Sequence, residues 1–87
     1  MEVRYAAQAV TNLDALPQKI AQRIVKKIGW YADTKNPFVF AKRLTGEWGH
    51  LYRFRIGEYR AIFAKEQDGS LSLLLILSVK HRREVYD

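Results

Sequence analysis

The chain has 87 residues, of which 48% are hydrophobic and 28% are charged. This composition is typical of a globular protein and excludes a disordered chain, and the length predicts one domain over residues 1–87. The absence of cysteine excludes disulfides and thiolate zinc sites, and no signal pattern or bilayer-length apolar run is present, so we expect a cytoplasmic protein without membrane contact. The net charge of +6 favours an anionic partner, nucleic acid or an acidic protein, with a merely solvated basic surface as the alternative.

The N-terminal part predicts one strand and two helices. Val3 and Tyr5 alternate with charged residues, which is typical of a short strand. Residues 6–16 predict a short helix that ends before Pro17, a residue favoured at the first position of a helix. Residues 17–34 predict an amphipathic helix with a basic stripe opposite its apolar face. That apolar face carries Ile20, Ile24, Ile28 and Tyr31.

The C-terminal part predicts three strands after a connecting segment over residues 38–50. The last strand, residues 70–80, is apolar on both sides of its pleat, so we expect a central strand covered on both faces. Asp68-Gly69 predicts the turn before it. The order β-α-α-β-β-β predicts an α+β fold, with two N-terminal helices packed on one face of a small, mainly antiparallel sheet.

The stretch from Leu51 to Phe63, LYRFRIGEYRAIF, predicts a hairpin with a two-residue type II′ turn at Gly57-Glu58. Period-two alternation then places aromatic and aliphatic side chains on one face of the hairpin. The other face carries three arginines, and one pair of them lies directly across the ladder. These residues are Arg53, Arg55 and Arg60, with Arg55 opposite Arg60.

Facing arginines cost about 0.2–1 kcal/mol, and folding alone gives no reason to keep them. A phosphate between the two guanidiniums would convert this cost into bidentate, charge-assisted binding. We therefore expect the hairpin to bind phosphate, and we expect the loss of Arg60 to reduce activity without reducing stability.

The C-terminal stretch KHRREVYD holds a second cationic cluster, Lys80, Arg82 and Arg83. His81 lies within it, and its ring is either a surface or helix-end group or a proton-transfer group. Tyr86 is either a terminal anchor on the core or a ring that stacks on a base or joins proton transfer.

Trp48, in the sequence GEWGH, lies in the predicted connecting segment. Tryptophans in loops more often cover the edge of a core, and we expect that role here. Stacking on ribosomal RNA is the alternative.

Three stretches, LTG at 44–46, YRFRIGEYRAIF at 52–63 and HRREVY at 81–86, resemble the RelE/ParE toxin superfamily. The resemblance extends over nearly the whole chain. RelE-like members cut mRNA in the ribosomal A site, whereas ParE-like members poison DNA gyrase. The basic hairpin and the C-terminal motif look RelE-like.

By this resemblance, Arg53 and Arg55 match two basic positions of the first hairpin strand, and Arg60 matches the arginine after the turn. Arg82 matches the basic residue near the C-terminus, and Tyr86 matches the terminal tyrosine.

The sequence departs from the family pattern in two ways. Arginine stands where some relatives have lysine, and a guanidinium does not act as a base because it keeps its proton. The region that holds a glutamate in some relatives reads FAKRL at residues 40–44, without a carboxylate.

The resemblance implies a ribosome-dependent mRNA endonuclease that acts as the toxin of a toxin–antitoxin pair. The 2′-hydroxyl of the RNA would attack the adjacent phosphate, so DNA would not be cut. Arg55 and Arg60 would stabilise the phosphorane, while Arg53 and Arg82 would hold the backbone.

His81 is the preferred proton-transfer residue and Tyr86 the second, with Lys80 and Arg83 expected to contact RNA. We expect no metal and no other cofactor. The expected partners are the ribosomal A site, mRNA and an acidic antitoxin in a hetero-oligomer. A ParE-like gyrase inhibitor without nuclease activity and a non-catalytic RNA-binding module are the alternatives.

Overall fold

The computed structural model describes residues 1–85. Two helices cover one face of a five-stranded sheet with strand order β1-β5-β4-β3-β2. Only the β1–β5 pair is parallel among the described strands, which confirms the predicted α+β fold and its mainly antiparallel sheet. The elements are β1 (Glu2–Tyr5), α1 (Ala7–Asp14), α2 (Gln18–Asp33), β2 (Ala41–Arg43), β3 (Tyr52–Ile56), β4 (Tyr59–Asp68) and β5 (Leu71–His81).

The strand β2 was not predicted. Its three residues, Ala41 to Arg43, are too few to show a period-two pattern, and they lie inside the segment interpreted as a connection. The strand exists because β3 pairs with it, with Ala41 across from Phe54 and Arg43 across from Tyr52.

The helix α2 supplies the larger part of the helical layer. Ile24 and Ile28 are fully buried, as the 3.6-residue spacing predicted. Pro17 is the N-cap rather than the first helical residue. The helix ends where the hydroxyl of Thr34 donates to the carbonyl of Tyr31 at 2.6 Å. Within residues 1–85, no helix has the length and apolar character needed to span a membrane.

The helical face of the sheet, meaning the side covered by α1 and α2, contains the main core. Phe54 of β3 and Phe63 of β4 are both fully buried, and their rings stack with centroids 4.2 Å apart. Tyr31 packs on Phe54 at 4.8 Å, which joins α2 to the hairpin. The predicted alternation of the hairpin is therefore confirmed on this side.

The strand β5 lies inside the sheet between β1 and β4, in keeping with its apolar sequence. Leu74 and Ile76 are fully buried beneath the helices. Leu75 and Leu77 are only half-buried, so the predicted coverage of the opposite face is partial. A bulge leaves Leu77 without a partner in β4, because Phe63 pairs with Ile76.

Both predicted turns are present. Gly57 has a φ of +59°, whereas the φ of Glu58 is not positive. A type I′ turn requires a positive φ at both positions, so this turn has the type II′ pattern. Ile56 pairs with Tyr59 on either side of it. Gly69, with a φ of +61°, turns the chain from β4 into β5.

The β1 edge of the sheet carries charge. Arg4 contacts Glu2 at 2.6 Å and Asp68 at 3.1 Å, and these hydrogen bonds raise the pKa of its guanidinium. Burial raises the pKa of the Tyr5 phenol at the end of the same strand. Charged side chains on an edge strand discourage pairing with another sheet.

Candidate nucleic-acid interface

Cationic side chains collect on the side of the sheet opposite the helices. The strand register places Arg55 across from Arg60, and Arg60 across from Lys80, so three cations form one row over β3, β4 and β5. A second pair, Lys42 and Arg53, lies across β2 and β3 on the same side. We call this side the basic face and its three-residue row the cationic row. The prediction that Arg55 and Arg60 face each other is confirmed.

A small apolar cluster adjoins the cations on the basic face, where Ile62 lies directly across from Arg53. Leu51, Ile62 and Ala64 are buried there, and half-buried Leu44 and Val85 pack against them. This cluster therefore places buried apolar side chains next to charged ones on the basic face. A low local dielectric strengthens any electrostatic contact made next to it.

Arg60 is buried, with only 1% of its surface exposed. Its Nη1 atom donates to the carbonyl of Gly57 and to that of Tyr59, both at 3.0 Å. A buried guanidinium is stabilised by such partners. Removing it would leave the two carbonyl groups without their hydrogen-bond donor. The expectation that Arg60 could be lost without loss of stability must therefore be reversed.

The three hairpin arginines differ in exposure. Arg53 is 7% exposed and lies across from Lys42 on one side and Ile62 on the other. Arg55 is exposed to solvent. The facing pair therefore has one member held inside the fold and one exposed to solvent.

His81 does not lie with the cationic row. It pairs with Tyr59, whose side chain packs against the core of the helical face, and the two rings meet edge to face at 5.4 Å. Its Nδ1 atom accepts a hydrogen bond from the backbone N–H of Arg83 at 3.2 Å. The backbone N–H of His81 in turn donates to the carboxylate of Glu84 at 3.1 Å, completing a capping box. His81 therefore lies beside Arg83, as its place in the C-terminal cluster implied, but alternation along β5 turns it to the face opposite the cationic row.

The other C-terminal residues lie in different positions. Arg82 contacts Glu58 of the hairpin turn at 2.7 Å, and both side chains are half-exposed. Lys80 and Arg83 are exposed, but only Lys80 belongs to the cationic row. The prediction for Tyr86 lies outside the described residues.

A cavity of about 390 Å³ opens on the basic face beside the cationic row. Trp48 and Lys80 both line it. Trp48 is 59% exposed and lines this cavity together with Leu51 and Ile62, so the cover that it gives to the core edge is partial. We call this space the Trp48 cavity. Its lining residues are Leu44, Thr45, Trp48, Leu51, Ile62, Ser78, Lys80, Glu84 and Val85.

Two features of the site were missed from the sequence. Lys42 joins the basic face only through β2, and the cavity beside Trp48 exists only because β5 and the hairpin meet there. No pattern along the chain marks either feature. Within residues 1–85, no three His, Cys, Asp or Glu side chains come together in a group that could hold a metal ion.

Some of the solved structures similar to this one are toxin–antitoxin complexes. A chain of the RelBE2 complex from Mycobacterium tuberculosis is 27% identical, with a TM-score of 0.74 over 93% of this chain and 96% of that chain. A chain of the RelE–RelB complex from Pyrococcus horikoshii OT3 is 26% identical, with a TM-score of 0.65 over 97% of each chain. YafQ from E. coli shares the fold alone, at 11% identity and a TM-score of 0.68 over 99% of this chain and 98% of that chain.

No protein of curated function matches the chain. The family model for the ParE toxin of the type II toxin–antitoxin system parDE matches residues 3–86, which is nearly the whole sequence. The fold and the RelE–RelB similarities agree with this match. The chain therefore belongs to the ParE toxin family of type II toxin–antitoxin systems, within the RelE/ParE superfamily.

Proposed function

We propose that this toxin is a ribosome-dependent mRNA endonuclease and that the basic face is its RNA site. One observation carries the proposal: Arg55, Arg60 and Lys80 form a cross-strand row on the face that the helices leave uncovered. Three cations grouped on one uncovered face attract the negative charge of a nucleic-acid backbone.

Arg60, the buried member of the cationic row, is the residue that we assign to stabilising the negative charge of the phosphorane. The guanidinium of Arg60 is already oriented by the carbonyls of Gly57 and Tyr59, so it need not reorganise when a phosphorane forms. The exposed Arg55 and Lys80 on its two sides contact the phosphate oxygens from solvent. The 2′-hydroxyl of the RNA attacks the adjacent phosphorus, the bond to the 5′-oxygen breaks, and a 2′,3′-cyclic phosphate and a 5′-hydroxyl result.

The proton steps need a group other than the arginines, since a guanidinium keeps its proton. His81 lies on the other face and uses Nδ1 to accept from Arg83, so we assign it no proton transfer. Tyr86 is the candidate, on the family resemblance and on the chemistry of its phenol. Arg82, tied to Glu58, holds the C-terminal segment against the hairpin turn rather than contacting the phosphorane.

The proposed partners follow from the charge of the basic face. The ribosomal A site presents the mRNA strand, because a protein of 87 residues offers little surface for holding a long RNA by itself. An acidic antitoxin covers the basic face, so its binding should weaken as salt rises. An affinity that stays constant from low to high salt would contradict this electrostatic cover.

The test is primer extension on mRNA after the toxin is induced, with and without a block of translation. New 5′ ends that disappear under the block are expected. Cleavage of a matched DNA strand should be absent, since DNA has no 2′-hydroxyl. Unchanged mRNA in translating cells would reject the proposal.

Inhibition of DNA gyrase is the second candidate, and the match to the ParE family model favours it. In that case the arginines of the basic face contact the antitoxin or solvent and cut nothing. A rise in gyrase-linked DNA breaks after induction, with intact mRNA, would establish this function instead.

A further inference from the structure

We infer that the Trp48 cavity is a nucleobase-binding subsite, in which the indole of Trp48 stacks on one base of a single-stranded RNA. The inference rests on the proposed function for its ligand, since the phosphate next to that base would lie on the cationic row. It adds a residue from outside the hairpin and the C-terminal motif to the RNA site.

The exposure of Trp48 is the first observation. A tryptophan that covers a core is largely buried, whereas 59% of Trp48 is exposed at the cavity that it lines with Leu51 and Ile62. Within residues 1–85 its ring meets no other aromatic ring, whereas Trp30 lies edge to face with Tyr31 at 5.6 Å. More than half of Trp48 is therefore accessible to a ligand at the cavity.

The loop that carries Trp48 is held in place. The carbonyl of Trp48 accepts from the N–H of Leu51 at 2.9 Å, and the N–H of Gly49 donates to Gly46 at 3.1 Å. The guanidinium of Arg43 donates to the carbonyl of Gly49. Gly46 adopts a φ of +66°, which allows the tight entry into this loop. A loop whose backbone is already ordered loses less entropy when a base stacks on its aromatic side chain.

The cavity also matches a nucleotide in its chemistry. Its floor is apolar, from Leu51 and Ile62, and its volume of about 390 Å³ is large enough for a nucleobase. Lys80 lies both in the cavity and in the cationic row, directly across from Arg60. A base on the indole would therefore leave its phosphate beside Lys80, whose ammonium is a strong phosphate ligand.

Binding of a short strand tests the inference without the ribosome. The probe is a 2′-O-methyl hexanucleotide, which the proposed chemistry cannot cut, and the control is the same backbone without bases. Trp48→Ala should weaken binding of the hexanucleotide about 5- to 100-fold, the effect of losing one stacked base. Binding of the abasic strand should not change, and Trp48→Phe should restore much of the affinity.

A fluorescence titration reports the stacking itself. The chain has two tryptophans, so in the Trp30→Phe protein all indole emission comes from Trp48. The hexanucleotide should quench this emission and the abasic strand should not. Urea melts of Trp48→Ala should match wild type, which separates a lost contact from a lost fold.

Several outcomes would overturn the inference. In Trp48→Ala, binding of the hexanucleotide and of the abasic strand could weaken equally, or neither could weaken. Wild type could fail to bind the hexanucleotide, or affinity could fall in Trp30→Ala but not in Trp48→Ala. The proposed function can fail separately: base-dependent binding through Trp48 with intact cellular mRNA would keep the subsite and reject the endonuclease. Translation-dependent cleavage that Trp48→Ala does not affect would support the endonuclease and reject the subsite.

Discussion

The two faces of the sheet are formed by the same strands, yet they bury different kinds of side chain. On the helical face, Phe54 and Phe63 stack at 4.2 Å under α2. On the basic face, the neighbouring positions Arg53 and Arg60 are buried instead, around a small apolar cluster. Because successive residues of a strand point to opposite sides, stability and charge can be assigned to alternate positions of one hairpin. A buried arginine on the basic face, such as Arg60, therefore contributes to stability and carries charge at the same position.

The largest effect is expected on the helical face. Phe54→Ala removes a fully buried ring and leaves a cavity beside Phe63 and Tyr31, so it should reduce the free energy of unfolding by about 4 kcal/mol. Urea melts measure this change. A loss below about 1 kcal/mol would show that the core under α2 repacks freely.

Arg60→Gln is the corresponding change on the basic face. It removes the donor to the carbonyls of Gly57 and Tyr59 within a buried site, so the free energy of unfolding should fall by about 3 kcal/mol. Cleavage by the remaining folded protein should also fall. A variant as stable as wild type would show that the buried guanidinium serves the ligand alone.

Arg55→Gln separates charge from folding, because Arg55 is exposed. The free energy of unfolding should change by less than about 0.5 kcal/mol. Single-turnover mRNA cleavage on programmed ribosomes should fall about 10²-fold, as when one transition-state donor is lost. Lys65→Gln is the matched control, since its exposed ammonium lies 5.9 Å from the Phe38 ring on the helical face. Equal losses in both variants would indicate a general effect of charge.

His81→Ala should have the smallest effect. The ring caps the turn at Arg82–Glu84, so its loss should reduce the free energy of unfolding by about 1 kcal/mol or less. Cleavage should stay within about threefold of wild type, because His81 lies on the helical face next to Tyr59. A drop of about 10²–10⁴-fold with ribosome binding intact would return the proton-transfer role to His81.

The pattern of the hairpin was sufficient to predict its geometry. A glycine at position 57 and strict alternation on both sides determine the turn, the register and the face of each arginine. These are local features, since a two-residue turn fixes the pairing of the residues on either side of it. The helices were predicted for the same reason, from a spacing that repeats within one element.

The relation of β5 to the hairpin was not predictable in this way. A single bulge between the pairs Ile62–Ser78 and Phe63–Ile76 shifts the register of β5 against β4. Beyond it, Lys80 falls beside Arg60 and His81 falls on the opposite face. A one-residue shift exchanges the faces of all the residues that follow, and no pattern in the sequence records it.

The sequence by itself determined the two helices, the hairpin register and the arginines that share one face, because each depends on contacts between near neighbours along the chain. Tertiary structure decided which of these arginines is buried, which C-terminal residue joins the row, and that Trp48 borders a cavity. Burial depends on the elements that pack around a residue, and these are distant in sequence. The position of Arg60 on the charged face of the hairpin could therefore be predicted from the sequence, whereas its burial depends on the assembled sheet.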